Sequence, residues 1–252
     1  MSSLDSFNLI QITDTHIFGN SDKRLVGTDT RDTLLKVLKK VSETKNVSRL
    51  IVTGDVSMDG SENSYEWISR QLEGTGKDFW VLPGNHDDIQ KWSLVFPQHL
   101  RCFPATHIEN PWKLIFLNTQ IPGQEYGGLA PKSLSFLKRE IHAGDASFIA
   151  IFMHHPPFNV GSNWIDAIGL KVGKDEFLDL VSETKVRLVV SGHVHQEASL
   201  KFCSAEFVTT PSTCVQFLSN SYDFALDEKS PGYRFICLFE DGRVETKVSR
   251  LS

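Results

Sequence analysis

The sequence predicts a layered α/β fold with mixed β-sheets. Short apolar runs of strand length alternate with segments of helical periodicity, an order that is typical of α/β folds. Other segments carry the alternation and turn dipeptides of antiparallel strands, so the sheets should not be purely parallel. A chain of 252 residues with 40% hydrophobic content can bury one large core, and we expect a single domain over residues 1–252.

Five apolar runs predict buried strands because each has the length of a strand and then breaks off into polar residues. They are Leu9 to Thr13, Leu50 to Thr53, Phe79 to Leu82, Phe148 to Met153 and Arg187 to Val190. Antiparallel strands are predicted over Thr106 to Asn118, Leu200 to Thr209 and Tyr233 to Val248. The last of these segments contains the turn dipeptide Asp241-Gly242, which is typical of a hairpin.

Four segments between the strands predict helices because their apolar residues recur at three- and four-residue spacing. They are Asp29 to Thr44, Ser61 to Gln71, Pro131 to His142 and Lys174 to Glu183. Thr28 or Asp29 could cap the first helix, and proline suits the first turn of the third.

Composition and charge argue against several classes of partner. There are 26 basic and 31 acidic residues, for a net charge of −5, and no basic stripe suits a nucleic-acid backbone. Residues 1–7 lack the pattern of a secretion signal, and the longest apolar run is too short to span a bilayer. The four cysteines have no close pairing. We expect a cytoplasmic protein with reduced thiols and no membrane partner; the sequence leaves the oligomeric state open.

Each of the five runs ends in a cluster of residue types that bind metals. The clusters are Asp14-Thr15-His16, Gly54-Asp55, Gly84-Asn85-His86-Asp87, His154-His155 and Gly192-His193-Val194-His195. Open α/β sheets bind ligands outside the carboxyl ends of their strands. We therefore expect these side chains to meet at one crevice, although they lie far apart in the chain.

Single clusters allow simpler interpretations. Asp14 and His16, two residues apart at a strand end, could reach one ion together on the same face, or could be a helix cap and a surface histidine. Asp55 follows a glycine that either permits close backbone approach or forms an ordinary turn. Adjacent residues of a strand face opposite ways, so only one of His154 and His155 can face a shared metal.

The histidine distribution favours the metal hypothesis. His193 and His195 are two residues apart, which suits two imidazoles on one face. Six of the nine histidines fall in clusters placed alike after apolar runs, which coincidence does not explain. The other three are expected at the surface or in satisfied hydrogen bonds: His99, His107 and His142.

The clusters in this order, Asp-x-His, Gly-Asp, Gly-Asn-His-Asp, His and Gly-His-x-His, resemble the calcineurin-like metallophosphoesterases. Further stretches resemble the bacterial 3′,5′-cyclic AMP phosphodiesterase (class III) subfamily, namely residues 9–16, 82–87, 162–166, 210–217 and 231–234. The resemblance covers nearly the whole chain. It implies a four-layer α-β-β-α sandwich with two mixed β-sheets.

The resemblance also implies a set of site residues. Asp14, His16 and His195 would bind one metal ion, and Asn85, His154 and His193 the other, with Asp55 bridging the two. The substrate phosphate would lie against His16, Asp55, Asn85, His86 and His195. His86 would protonate the departing sugar oxygen, because imidazole changes charge near neutral pH; the alternative is that it only supports the ligands.

Two cations held by a bridging carboxylate would make a hydroxide available at neutral pH for in-line attack on phosphorus. Imidazole, carboxylate and amide oxygen together suit Fe²⁺ or Mn²⁺, with Zn²⁺ possible, better than magnesium. Such a site accepts any phosphate ester, so selectivity must come from nearby loops. Phe158, Trp164 and Tyr222 could stack on a base, or could simply pack their loops. Asn163 and Ser212 could bond a base or ribose, with no catalytic role.

Three functions are compatible with these residues. The first is hydrolysis of 3′,5′-cyclic AMP to 5′-AMP by a dinuclear-metal phosphodiesterase. The second is a broad-specificity phosphodiesterase or phosphomonoesterase that acts on glycerophosphodiesters or other cyclic nucleotides. The third is a non-catalytic scaffold, against which the complete set of metal-binding residues argues.

Overall fold

The computed structural model describes residues 6–96, 103–182 and 185–252. His99 and Cys102 lie outside the described residues, so their predicted surface position and reduced state are not addressed. Within the described residues the elements follow in this order: β1 Ser6–Ile12, α1 Thr30–Glu43, β2 Arg49–Thr53, α2 Glu62–Glu73, β3 Asp78–Leu82, α3 Ile89–Val95, β4 Ala105–Glu109, β5 Trp112–Phe116, β6 Gly127–Gly128, α4 Pro131–His142, β7 Phe148–Phe152, α5 Asn163–Asp166, β8 Leu170–Val172, α6 Lys174–Ser182, β9 Val186–Ser191, β10 Ala198–Phe202, β11 Ala205–Thr209, β12 Gln216–Phe217, β13 Leu226–Asp227, β14 Gly232–Phe239 and β15 Val244–Arg250.

One sheet has the strand order β15-β14-β1-β2-β3. Its strands β1, β2 and β3 are parallel, and their carboxyl ends therefore lie at the same edge. Strand β14 pairs antiparallel with β1, and β15 completes the hairpin through the Asp241-Gly242 turn. The predicted strands and the predicted hairpin of this sheet are confirmed.

The second sheet has the order β10-β11-β9-β7-β5-β4. Strands β5, β7, β9 and β11 are parallel, and the two edge strands β4 and β10 are antiparallel to their neighbours. Both sheets are therefore mixed, as predicted. The segments predicted as antiparallel hairpins, Thr106 to Asn118 and Leu200 to Thr209, each supply one edge strand and one strand that joins the parallel set.

The molecule has four layers, because both faces of the second sheet are buried. Alternate residues of β5 point to opposite sides: Trp112, Leu114 and Phe116 join the core shared with the first sheet, whereas Ile115 joins a core with α4 and α6. Residues of α1 and α2 pack in the core of the first sheet. The four-layer α-β-β-α sandwich is confirmed.

The helices form where sequence and capping agree. Asp29 caps α1 by accepting hydrogen bonds from the backbone N–H groups of Arg31 and Asp32. Helix α4 begins at Pro131, as its position predicts. Helices α3 and α5 were not predicted, because seven and four residues are too few to show periodicity. Helix α6 is described to Ser182, and Glu183, where its predicted span ends, lies outside the described residues.

Three cysteines, Cys203, Cys214 and Cys237, are free thiols, as predicted. No helix within the described parts of the chain combines the length and apolar character needed to cross a membrane. The histidines expected outside the clusters lie away from them. His142 bonds the carbonyl of Lys138, and His107 packs on Trp80 with Nε2 3.6 Å from Glu109.

Candidate metal centre

The predicted clusters meet at the carboxyl ends of β1, β2, β3, β7 and β9. Asp14, His16 and His195 form a first group of donors whose ligand atoms lie within 4.8 Å of one another. The Nε2 atoms of His16 and His195 are 3.0 Å apart. Asp14 Oδ1 is 3.4 Å from His195 Nε2 and 4.0 Å from His16 Nε2. One ion could contact all three side chains.

Asp55, Asn85 and His154 form a second group. His154 Nε2 lies 3.2 Å from Asn85 Oδ1 and 3.4 Å from Asp55 Oδ2. The same Asp55 oxygen is 3.7 Å from His16 Nε2, which belongs to the first group. A single carboxylate oxygen therefore lies between the two groups of donors, where a bridging ligand would have to lie.

His193 has the properties of a further donor. Its ring centroid is 5.1 Å from that of His154, and its backbone N–H donates to Asp14 Oδ2 at 3.0 Å. His193 Nε2 is buried and has no hydrogen-bond partner among the described residues. A buried ring nitrogen without a partner costs free energy that a bound cation would recover. This donor set therefore fits divalent metal ions.

The protonation states agree with that fit. Burial lowers the pKa of His16 and of His193 to about 3. Both rings are therefore neutral at physiological pH and keep a lone pair for a metal. Burial would also lower the pKa of His154, but the adjacent Asp55 carboxylate outweighs it and raises that pKa to about 9. His154 in turn holds the pKa of Asp55 well below its usual value against the effect of burial. The centre thus favours positive charge beside Asp55.

His155 lies beside the donor residues, with its ring centroid 4.6 Å from that of His193. The prediction that strand alternation turns one of the two adjacent histidines away is wrong, because β7 ends at Phe152 and both histidines lie beyond it. Its Nδ1 lies 2.8 Å from Thr119 Oγ1, and its Nε2 lies 3.1 Å from the carbonyl oxygen of Glu125. Both ring nitrogens are therefore occupied by the protein. His155 anchors the loop before β6, and His154 alone of the pair is placed to bind metal.

The backbone of the donor residues corrects one expectation. The sequence argued that Asp14 and His16, and likewise the paired histidines after β9, share a face through strand alternation. In fact β1 ends at Ile12 and β9 at Ser191, so these residues lie beyond the strands. Their side chains converge because the loops adopt left-handed conformations, with these φ values: Asp14 53°, His16 46°, Asp55 48°, His193 70° and His195 49°. Each costs roughly 1–3 kcal/mol and persists only where its surroundings enforce it.

Close packing of the loops enforces these conformations. The N–H of Asp14 donates to the carbonyl of Gly54 at 3.0 Å, and the N–H of His16 donates to that of Asp55 at 3.0 Å. Gly54 itself has φ 96°, and a Cβ there would lie 2.7 Å from His154 Cγ and closer still to His154 Nδ1. A Cβ on Gly192 would lie 2.8 Å from Asp14 Oδ2. The predicted close approach at Gly54 is confirmed.

Asp87 ties two of the loops together. Its buried carboxylate accepts backbone N–H bonds from Val56 at 3.1 Å, Ser57 at 2.9 Å and Gly84 at 2.8 Å. Burial, with the nearby Asp55 charge, raises the pKa of Asp87 to about 6 despite these bonds. Asp87 therefore fixes the loop of Asp55 against the loop of Asn85.

His86 lies at the rim of the centre and is exposed. Its backbone N–H donates to Asp55 Oδ1 at 2.9 Å, and its ring meets the His16 ring edge-on at 5.0 Å. A ring nitrogen of His86 lies within 4.8 Å of the Asp55 carboxylate. The carboxylate grouped with His86 is that of Asp55, whereas the buried carboxylate of Asp87 bonds backbone N–H groups.

A cleft of about 240 Å³ opens over the donor groups. It is lined by His16, Asp55, Asn85, His86, Glu125, Trp164, Ile165, Ile168, His193, His195 and Phe217. Of the aromatic residues proposed to stack on a base, only Trp164 lines it. Phe158 is buried and packs 6.2 Å from Phe207, and Tyr222 is 75% exposed outside the cleft. Ser212 is buried and donates to the Asp14 carbonyl, and Asn163 does not line the cleft.

Sequence reasoning missed Phe217, whose ring stacks on His195 with centroids 4.0 Å apart and planes 7° from parallel. It also missed Glu125, Ile165 and Ile168. The available signal was the pair Phe217 and Phe224, which flank a Ser/Asn-rich turn and so predict a short hairpin with aromatic ends.

Residues 7–197 match the calcineurin-like phosphoesterase family, and the chain belongs to it. This family uses a dinuclear metal centre. The two groups of donors that share Asp55 are consistent with such a centre.

Curated relatives match over nearly the whole chain. The 3′,5′-cyclic adenosine monophosphate phosphodiesterase CpdA of Pseudomonas aeruginosa is 35% identical over 96% of this chain and 89% of the relative. The protein of the same name from Escherichia coli K12 is 31% identical over 97% and 90%. A 3′,5′-cyclic-nucleotide phosphodiesterase of a Nostoc species is 32% identical over 97% and 92%.

Solved structures share the fold at low identity. A purple acid phosphatase of yellow lupin superposes with a TM-score of 0.72 at 11% identity, over 98% of this chain and 52% of that one. A dimetal phosphatase of Danio rerio gives a TM-score of 0.67 at 16% identity, over 98% and 99%. These likenesses support the sandwich fold.

Proposed function

We propose that this protein is a metal-dependent phosphodiesterase that hydrolyses 3′,5′-cyclic AMP to 5′-AMP. The observation that carries the chemistry is the position of Asp55 Oδ2, 3.4 Å from His154 Nε2 and 3.7 Å from His16 Nε2. One carboxylate oxygen is thus shared by two groups of donors, as a bridging ligand requires. The cyclic nucleotide is supported by relatives with that activity that align along almost the full chain.

In this proposal Asp14, His16 and His195 bind one ion and Asn85, His154 and His193 bind the other, with Asp55 between them. The short distances within each group and the unpartnered ring nitrogen of His193 support the assignment. We propose Fe²⁺ or Mn²⁺ as the bound ions, with Zn²⁺ as a further candidate, because imidazole and carboxylate ligands together suit these metals.

Bound divalent ions would supply a water nucleophile at neutral pH and positive charge opposite the phosphate. The residues of the chain orient the substrate and move its proton. The phosphate lies against His16, Asp55, Asn85, His86 and His195, which all line the cleft. His86 is held at the rim by its backbone bond to Asp55 and lines the cleft, so its exposed ring donates a proton to the departing sugar oxygen.

The test is release of 5′-AMP from 3′,5′-cyclic AMP by protein stripped of metal and reloaded with Mn²⁺ or Fe²⁺. Parallel assays use 2′,3′-cyclic AMP, glycerophosphocholine, an aryl phosphodiester and an aryl phosphomonoester. Preferential turnover of 3′,5′-cyclic AMP supports the proposal. Rapid cleavage of the aryl diester without cyclic AMP turnover would retain the metal centre and favour the broad-specificity alternative, and no turnover of any ester would favour the scaffold.

The substrate in this proposal is a small molecule. The acidic net charge still predicts that nucleic acid is not a substrate. A nuclease assay at low and high salt tests that expectation, because binding to a nucleic-acid backbone weakens steeply as salt increases.

A further inference from the structure

One side of the cleft is built from aromatic rings that reach the metal centre. Trp164 of α5 and Phe217 of β12 line the cleft, and Phe224, which precedes β13, packs against both rings without lining it. Together the three rings form this aromatic wall. The Trp164 ring lies 4.8 Å from Phe217 and 5.2 Å from Phe224, both edge-on. Phe217 stacks on His195 at 4.0 Å. The wall therefore starts at a metal-binding histidine and extends outward along the cleft.

The wall is held in place by hydrogen bonds between its two segments. Ser162 Oγ donates to the carbonyl of Leu218 at 3.2 Å, and the Asn163 N–H donates to the carbonyl of Ser221 at 3.0 Å. Gln196 Nε2 donates to Ser162 Oγ at 3.1 Å. Gln196 is buried and directly follows His195. The segment that carries the aromatic rings is thus fixed to the metal-binding loop before any ligand arrives, which lowers the entropic cost of binding.

The aromatic wall exposes apolar surface to solvent. Phe224 is 54% exposed, and Trp164 and Phe217 are half-buried. Exposed aromatic surface that is continuous with a cleft is typical of a ligand-binding site, because a flat apolar ligand would cover it. The part of a ligand that would complement this surface is broad, flat and weakly charged.

Charge in the cleft separates two ends of such a ligand. Among the described residues that line the cleft, none is lysine or arginine. The anionic phosphate therefore belongs at the metal centre. The uncharged part of the ester is left to the aromatic wall and to the apolar side chains of Ile165 and Ile168 beside it.

We propose that the aromatic wall binds the heteroaromatic base of a nucleotide diester, with Trp164 as the principal stacking residue. This inference rests on the proposed phosphodiesterase function and deepens it. The wall makes the protein selective for nucleotide esters over esters of small aliphatic alcohols such as glycerol. Trp164 is then a specificity-determining residue that takes no part in proton transfer.

Two ligands that differ only in the base test the proposal. 5′-AMP and ribose 5-phosphate carry the same phosphate and sugar, and both can be titrated into the full Mn²⁺-loaded chain by calorimetry. We expect the unaltered protein to bind 5′-AMP about tenfold more tightly, since stacking of one base on an aromatic ring is commonly worth about that factor. Trp164→Ala should abolish the difference and leave ribose 5-phosphate within about twofold. Trp164→Phe should restore most of it.

Trp67→Ala is the matched control. Trp67 lies on α2 under the Arg31 guanidinium, at 4.8 Å, and does not line the cleft, so its loss should leave the ratio of the two affinities unchanged. Equal affinities of the unaltered protein for the two ligands, or equal losses of both in Trp164→Ala, would overturn the proposal. Hydrolysis of 3′,5′-cyclic AMP and of an aryl diester is measured on the same samples. Its absence would contradict the phosphodiesterase function, whereas the binding ratio would still decide whether the wall holds a base.

Discussion

The two sides of the cleft are built in opposite ways. On the metal side, the donor residues are buried and have left-handed backbone conformations, namely Asp14, His16, Asp55, His193 and His195. Close packing of the loops at Gly54 and Gly192 enforces these conformations. On the other side, the aromatic wall lies on a four-residue helix, a two-residue strand and the loop between β12 and β13, with Phe224 more than half exposed. The contrast teaches that the ends of the core strands position the donor residues, whereas short peripheral elements carry the aromatic wall, to which we assign the selectivity.

The largest effect should come from the residue shared by both donor groups. Asp55→Ala removes the carboxylate oxygen between His16 and His154, so both ions lose a ligand. We expect metal content well below two ions per chain and activity lowered by more than about 100-fold, because losing even a group that only supports a ligand costs 10- to 100-fold. Plasma emission analysis and turnover measure the two results. Full occupancy by two ions would contradict the bridging role.

His86→Ala should separate proton transfer from metal binding. Metal content should stay at the unaltered level, while turnover of 3′,5′-cyclic AMP falls by about 100-fold, as expected for loss of a general acid. An aryl diester with a good leaving group needs little protonation and should lose much less. Losses of equal size for both substrates would show that His86 only supports the ligands.

Asp87→Ala tests how firmly the metal side is held. The substitution leaves three buried N–H groups, those of Val56, Ser57 and Gly84, without their acceptor. We expect the free energy of unfolding in urea to fall by about 3 kcal/mol, and by less in Asp87→Asn, which keeps one oxygen. The control is Asp22→Ala, at an exposed carboxylate, with little change. Equal stability of Asp87→Ala and the unaltered protein would show that these bonds do not fix the loops.

The smallest effect should come from the outer end of the aromatic wall. Phe224→Ala should raise the KM for 3′,5′-cyclic AMP about threefold, leave kcat unchanged and alter stability by about 0.5 kcal/mol, because the ring is largely exposed. Tyr222→Ala is a close control, since Tyr222 lies in the same loop and is 75% exposed, whereas it is Phe224 whose ring packs on Trp164 and Phe217. If both variants behave alike in steady-state kinetics, the outer wall does not contact substrate.

The metal side and the aromatic wall also differ in how far the sequence could predict them. The donor residues of the metal side could be predicted from the sequence, because strand-length apolar runs end at these residues and the carboxyl ends of parallel strands lie at the same edge of a sheet. The left-handed conformations of Asp14 and His16 could not be predicted from the sequence, since they arise from packing against the neighbouring loop. The aromatic wall could be predicted only in part. Trp164 and Phe217 are far apart in the chain, and their rings are brought together by the hydrogen bonds of Ser162 and Gln196.

The stack of Phe217 on His195 restricts how this protein can evolve. Trp164 and Phe224 can change without disturbing any donor to the metals, so new substrate preferences can arise at those positions while hydrolysis continues. Phe217 has no such freedom, because its ring lies flat against an imidazole of the first donor group. Among natural variants of this chain, residue 217 should therefore be substituted less often than residues 164 and 224.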